Sequence, residues 1–400
     1  MKTVKISLEV NALDGYLYGG RLFLVTKDGL LKYIPVVDIF NNLSTESEEY
    51  KFLSLIFDRN NWLINKQAKR IFKIELINTS FIKTWNKFSN KEFNFKIRDE
   101  DLKVLSSLDT MPMYDFRIYG MRLFLGNRNG LHEAGITLRS EKEVVLNEKI
   151  HRVFDSRITS ISPNYGTLML SSNVDGLFHG SFKGVNERIE VRKNAVVPIS
   201  VRTSWTGYNV VNYLDQNQFD YLENEYVLEE KRKKLYSKDD EGSKKQVKFT
   251  KIASNTLSMD DVINKTKIED EEILFAFNSS QACFFIMSNG DLINSNWISS
   301  SKNSANSNRL SSRIYNIGKV IKGRNKKYDH PLSSHFIPKG CVIEFFDRII
   351  LVQNSKLNTL ENKAVTSIRT YPASIRYRNL VTLFDGSSVD IHAIYPSETK

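Results

Sequence analysis

Side chains able to do chemistry are scattered through this chain rather than gathered into motifs. Its six histidines, His132, His151, His179, His330, His335 and His392, stand far apart, and only His330 and His335 (DHPLSSH) are near neighbours. No cysteine or third histidine follows that pair at a spacing that would complete a zinc site. The two cysteines, Cys283 and Cys341, sit in apolar segments (ACFFIM and CVIEFF), where a thiol reads as a small buried hydrophobe. Two cysteines also exclude a disulfide framework and a four-thiolate metal site. Gly-x-Ser-x-Gly, Walker A, His-Glu-x-x-His and dinucleotide fingerprints do not occur. The acidic runs at 99–101, 239–241 and 269–272 lack the spaced oxygen ligands and turn glycine of a calcium loop. The sequence therefore assigns no catalytic, cofactor-binding or metal-ligating residue.

Binding chemistry leaves clearer traces. Lys231, Arg232, Lys233 and Lys234 form one basic cluster; Lys322, Arg324, Lys326 and Lys327 form another. Cations grouped this way attract phosphates by releasing counterions, and the nearby Tyr236 and Tyr328 offer rings for bases to stack on. Acidic neighbours of the first cluster, Glu229, Glu230, Asp239 and Asp240, equally suit a solvated charged loop. The formal charge is +11, from 57 basic and 46 acidic residues, and the excess is spread along the chain. A second set, Trp62, Phe81 and Trp85, offers large aromatic anchors for a protein partner or a small core of their own segment.

These groups must be positioned by a repeat. Residues 18–31, YGGRLFLVTKDGLL, recur 101 positions later as YGMRLFLGNRNGLH, identical at eight of fourteen places. Each copy reads as two apolar strands joined by Asp-Gly or Asn-Gly, residues that tolerate the positive φ of a tight hairpin. Further turns fall near 175–176, 216–217, 289–290, 354–355 and 385–386, making seven in all. The step from Gly130 to Gly176 is 46 residues, the length of a four-stranded propeller blade. The expected fold is therefore all-β, a single β-propeller over 1–400 with about seven blades. The sixth repeat is expected to place strands at 341–346, 348–352, 356–360 and 364–368. The last supplies three, at 374–377, 380–384 and 388–394, and residues 4–10 (VKISLEV) supply the fourth, closing the ring. Three segments break the period: a partly helical insertion at 45–90, a charged loop at 229–248 and a Ser/Asn-rich loop at 299–312. The Gly-His and Trp-Asp dipeptides of WD40 repeats, the kelch glycine pair and the sialidase box are missing, so the likeness is to an architecture.

A rigid ring with long insertions and no convergent catalytic motif points to a non-catalytic scaffold or sensor subunit that binds a protein partner within a larger assembly. Nucleic-acid binding through the basic loops is the first alternative. A hydrolase site in the central channel, where blades converge without any linear motif, is the second. The opening MKTVKISLEV lacks a signal-peptide core, and no apolar run approaches the roughly 18 residues of a membrane span. The expected setting is the cytoplasm, without a cofactor or a membrane partner.

Overall fold

Seven small antiparallel sheets stand in a ring, the arrangement of a seven-bladed β-propeller. The computed structural model describes residues 3–58, 70–71, 73–108, 113–140, 142–182, 188–194, 197–206, 209–215, 218–231, 244–258, 273–278, 282–289, 291–300, 311–321, 331–337, 340–353 and 356–395. The repeated segment of the sequence is the heart of each blade. In blade 1, Asp14–Tyr18 pairs with Arg21–Val25, which pairs with Leu30–Pro35. Blade 2 repeats this with Met113–Tyr119, Arg122–Asn127 and Gly130–Leu138. The turn glycines behave as the dipeptides require: Gly29 and Gly130 both have positive φ. A β-carbon on Gly130 would also collide with the Phe154 carbonyl oxygen.

The strands read as continuous apolar runs because both of their faces are covered. Arg21–Val25, Thr167–Ser171, Asn209–Tyr213 and Leu380–Phe384 are buried at every residue. Blades stack face to face, so a central strand has no solvent side and no reason to alternate. The core is accordingly divided into seven apolar clusters, each spanning one blade interface. Cys283 and Cys341 lie in two of them as fully buried thiols.

The ring closes as the alternating N-terminal segment predicts. Val4–Glu9 is the outer strand of blade 7, antiparallel to Ser388–Ala393 with Val4 opposite Ala393 and Glu9 opposite Ser388. Asn94–Lys96 then pairs with it in parallel, which covers its outer edge. The insertion leaves blade 1 after Pro35 and returns as that blade's fourth strand, Lys103–Ser107. It folds into short helices, Val36–Ile39 and Glu48–Leu53, a π-turn, Ser54–Asp58, and a longer helix, Glu75–Phe88. Ser47 caps Glu48–Leu53 by accepting from the Tyr50 N–H at 3.1 Å.

Two expectations are corrected. Blade 6 is framed one strand earlier than its apolar spacing suggests: Ser333–Ile337 is innermost, followed by Gly340–Glu344, Ile349–Gln353 and Lys356–Glu361. The expected strand at 364–368 belongs instead to blade 7, whose innermost strand is Ser367–Thr370, and residues 374–377 form turns. In blade 2 the fourth slot is shared, because Val144–Leu146 and His151–Phe154 both pair with Gly130–Leu138. In blade 4, Phe219–Lys231 and Lys244–Ser258 form a long hairpin. The charged stretch 229–248 runs over its end, and residues 232–243 lie outside the described residues.

Candidate functional site: the mouth of the central channel

The first strand of every blade lines the axis, so the inner ends of distant repeats converge where no linear motif could show them. On the face carrying the turns between first and second strands, they surround a cavity of about 470 Å³. Its wall is mostly apolar (Leu17, Ile118, Ile161, Trp205, Phe336), with Arg117, Arg202 and His335 among its polar members.

Beneath it lies a buried ionic cluster. Arg369, from blade 7, donates through Nε to Asp14 Oδ1 of blade 1 at 2.7 Å, and its terminal nitrogens reach Asp14 and Asp115 of blade 2. Asp115 also faces Arg117 at 3.3 Å and accepts from the Ile161 N–H of blade 3 at 2.7 Å. Asp14 and Asp115 are 101 residues apart, the spacing of the sequence repeat. Burial opposes the charge on Asp115, yet Arg117, Arg369 and the backbone bond outweigh it and hold the carboxyl below its usual range. Burial works against Arg369 as well, but the two carboxylates keep it firmly charged. Asp14 and Arg369 also line a second cavity, of about 790 Å³, on the opposite face, so this cluster stands between the two.

Arg202, from blade 4, is placed differently. It donates to Ser334 Oγ at 2.9 Å and to the Ser334 and Ala276 carbonyl oxygens at 3.4 Å. The guanidinium lies over the Tyr213 ring at 4.1 Å from its centroid. No carboxylate pairs with it among the described residues. His335 stands nearby; burial first, then Arg117, Arg369 and Arg202, push its pKa down to about 3. Its Nε2 is 2.9 Å from Ser333 Oγ, but that hydroxyl also donates to Glu344. An imidazole so reluctant to take a proton is a poor general base, and among the described residues no carboxylate hydrogen-bonds to it.

The repeat's Tyr-Gly has a structural role. The Tyr18 hydroxyl accepts from the Met121 N–H at 2.9 Å, Tyr119 from Gly166 at 2.9 Å and Tyr377 from Gly20 at 2.7 Å. Each bond crosses from one blade to the next turn in the ring. Arg21 likewise reaches the Ser140 carbonyl of blade 2. Arg122 approaches Glu133 at 3.5 Å, and Glu133 accepts from the Ile189 N–H of blade 3.

Glu361, Asp390 and His392 have ligand atoms within 4.8 Å of one another, a spacing that could hold a metal ion. Lys5 Nζ, however, lies 2.6 Å from Glu361 and 3.3 Å from Asp390, and Lys363 Nζ lies 2.8 Å from Asp390. The ammonium groups already supply the positive charge, which makes this an ionic knot at the seam between blades 6 and 7.

Of the residues singled out in the sequence, Trp85 has no exposed surface; it packs on Phe52, half-buried Phe81 and Tyr395 in the core of the insertion. A side chain so enclosed offers nothing to a partner in this conformation. Trp62, Arg232, Lys233, Lys234, Arg324, Lys326 and Lys327 lie outside the described residues, and Lys231 is described only as backbone at the end of its strand. His330 lies outside them too, while His335 reaches the channel. Sequence reasoning missed Arg117, Arg202 and Arg369, which come from three different blades.

No protein-family model matches this chain, nor does any curated protein sequence. Among solved structures it resembles a chain of the mitotic checkpoint complex at 10% identity, over 74% of this chain and 78% of that one, with a TM-score of 0.39. It also resembles the computationally designed Ika8 protein at 7% identity, over 98% and 100%, with a TM-score of 0.42. At such scores the propeller assignment rests on the strand pairing itself. No helix among the described residues is long and apolar enough to cross a membrane.

Proposed function

We propose that this propeller is a non-catalytic protein-interaction scaffold that docks its partner on the face opposite the channel mouth. One observation carries this reading: six large apolar side chains are exposed around that face, beside others on the insertion (Ile71, Ile74, Leu76, Ile77), at Val104 and at Ile375 by the channel mouth. Leu13, Tyr114, Val201 and Leu332 immediately precede or open innermost strands, while Val174 and Phe346 sit in the turns between second and third strands. Those two structural positions meet on the same face, as the Leu13 N–H bond to the Val25 carbonyl illustrates. Val174 is 77% exposed and Phe346 76%. Apolar anchors distributed around a rigid ring suit a broad protein surface.

The test is affinity purification of the tagged chain from its native host, with and without nuclease. A stoichiometric partner that survives nuclease is expected, and a Val174→Asp, Phe346→Asp double variant with unchanged melting temperature is expected to lose it. Retention of the partner by that folded variant removes the docking face. Recovery that depends on nucleic acid and vanishes when Lys231, Arg232, Lys233 and Lys234 are neutralised transfers the function to the basic loops.

A further inference from the structure

Arg202 poses a question that the scaffold reading leaves unanswered. Three guanidinium groups, Arg117, Arg202 and Arg369, converge near His335, and among the described residues two carboxylates, Asp14 and Asp115, pair with them. One positive charge is therefore left over at the channel mouth. It resides at Arg202, because Arg369 is held by both carboxylates and Arg117 lies against Asp115. The cavity's other arginine, Arg376, is already paired with Asp58 of the insertion. Among the described residues the partners of Arg202 are neutral: a hydroxyl, two carbonyl oxygens and the rings of Tyr213 and Phe275. Such a charge is costly unless an anion joins it.

The space beside it is of the right kind. About 470 Å³ lies within the range of small-molecule sites, and its walls are apolar and aromatic with a few convergent polar groups. The guanidinium plane is fixed by Tyr213 and Ser334, so little rotamer freedom remains to be lost on binding. Arginine's fork suits carboxylate and phosphate alike.

We propose that the mouth of the central channel is a binding site for a small organic anion, one carboxylate or phosphate group on a ring-bearing body, with Arg202 holding the anion and the half-buried Phe336 of the same wall packing on the ring. This site lies on the opposite face from the proposed docking surface and stands whether or not that surface binds a protein.

Isothermal titration of the full chain at low ionic strength tests it with four probes of similar size: phenyl phosphate, benzoate, benzyl alcohol and benzylamine. Both anions are expected to saturate one site per chain, at least tenfold more tightly than benzyl alcohol, while benzylamine is excluded. The tighter of the two anions tells phosphate from carboxylate. Arg202→Gln is expected to weaken anion binding at least tenfold and leave benzyl alcohol unchanged; Arg202→Lys, which keeps the charge and loses the fork, should fall between. Wild-type anion affinity in a folded Arg202→Gln chain overturns the proposal. Should that variant fail to fold, the wild-type comparison still decides: anions that bind no better than the neutral alcohol overturn it equally.

Discussion

At the residue scale, Arg369 is held by two carboxylates, whereas the partners of Arg202 among the described residues are neutral. Arg369 spans blades 7, 1 and 2 through two buried carboxylates. Truncating it to an apolar side chain strands Asp14 without its counter-ion and leaves Asp115 to Arg117, and breaking a buried pair in this way costs roughly 3–5 kcal/mol. Arg369→Met is therefore expected to lower the urea midpoint sharply. Adding Asp14→Asn and Asp115→Asn to that variant should recover part of the loss, because the uncompensated charge of Asp14 goes with them while Arg117 loses Asp115. A triple variant as unstable as the single one would show that Arg369 acts by packing alone. Arg202, with no carboxylate to strand, should show a far smaller effect in the same titration.

At the element scale, the insertion is fastened to the ring by aromatic packing. Trp85 meets Phe52, Phe81 and Tyr395, and its cluster continues into Leu8, Leu17 and Ile391 of the blades. Trp85→Ala is expected to cost about 3–5 kcal/mol in denaturant unfolding. A loss below about 1 kcal/mol would mean that the insertion unfolds independently of the blades. The elements also show where sequence reading succeeds. The Tyr-Gly repeat and its hairpins were legible because glycine conformation and inter-blade tyrosine bonds demand particular residues at particular places. The closing strand was legible because one of its faces is less deeply buried and so alternates. The framing of blade 6 was not: a strand buried on both faces carries no mark of which sheet it joins, and Ser333–Ile337 is too polar to announce itself. The channel site was invisible for a related reason. Arg117, Arg202, His335 and Arg369 belong to four blades, and only ring closure brings them together.

At the scale of the whole molecule, the ring is a chain of interfaces whose last link joins the first strand to the last blades. The seam carries a network of ion pairs: Lys5 bridges Glu361 and Asp390, Lys363 bridges Asp385 and Asp390, and His392 Nε2 lies 3.2 Å from Glu361. Burial raises the cost of charging Glu361, but His392 and Lys5 more than offset it and hold its pKa down to about 2, against an ordinary 4.5. A carboxyl depressed in the folded state binds fewer protons there than in the unfolded chain. Its contribution is therefore complete above about pH 4.5 and is lost as pH falls through about 2. By the size of the shift that contribution is on the order of 2–3 kcal/mol. Glu361→Gln should thus be less stable than the parent at pH 7, with the gap narrowing steadily below pH 4.5 and vanishing near pH 2. Because other carboxylates titrate in the same window, the difference between the two chains is the quantity to read. Hydrogen exchange should place the effect at the seam, with the amides of Val4–Glu9 opening first in the variant while the central strands of blades 2 and 3 keep their protection. A gap independent of pH, or uniform loss of protection around the ring, would show that Glu361 acts by packing and that the seam is no weaker than any other interface.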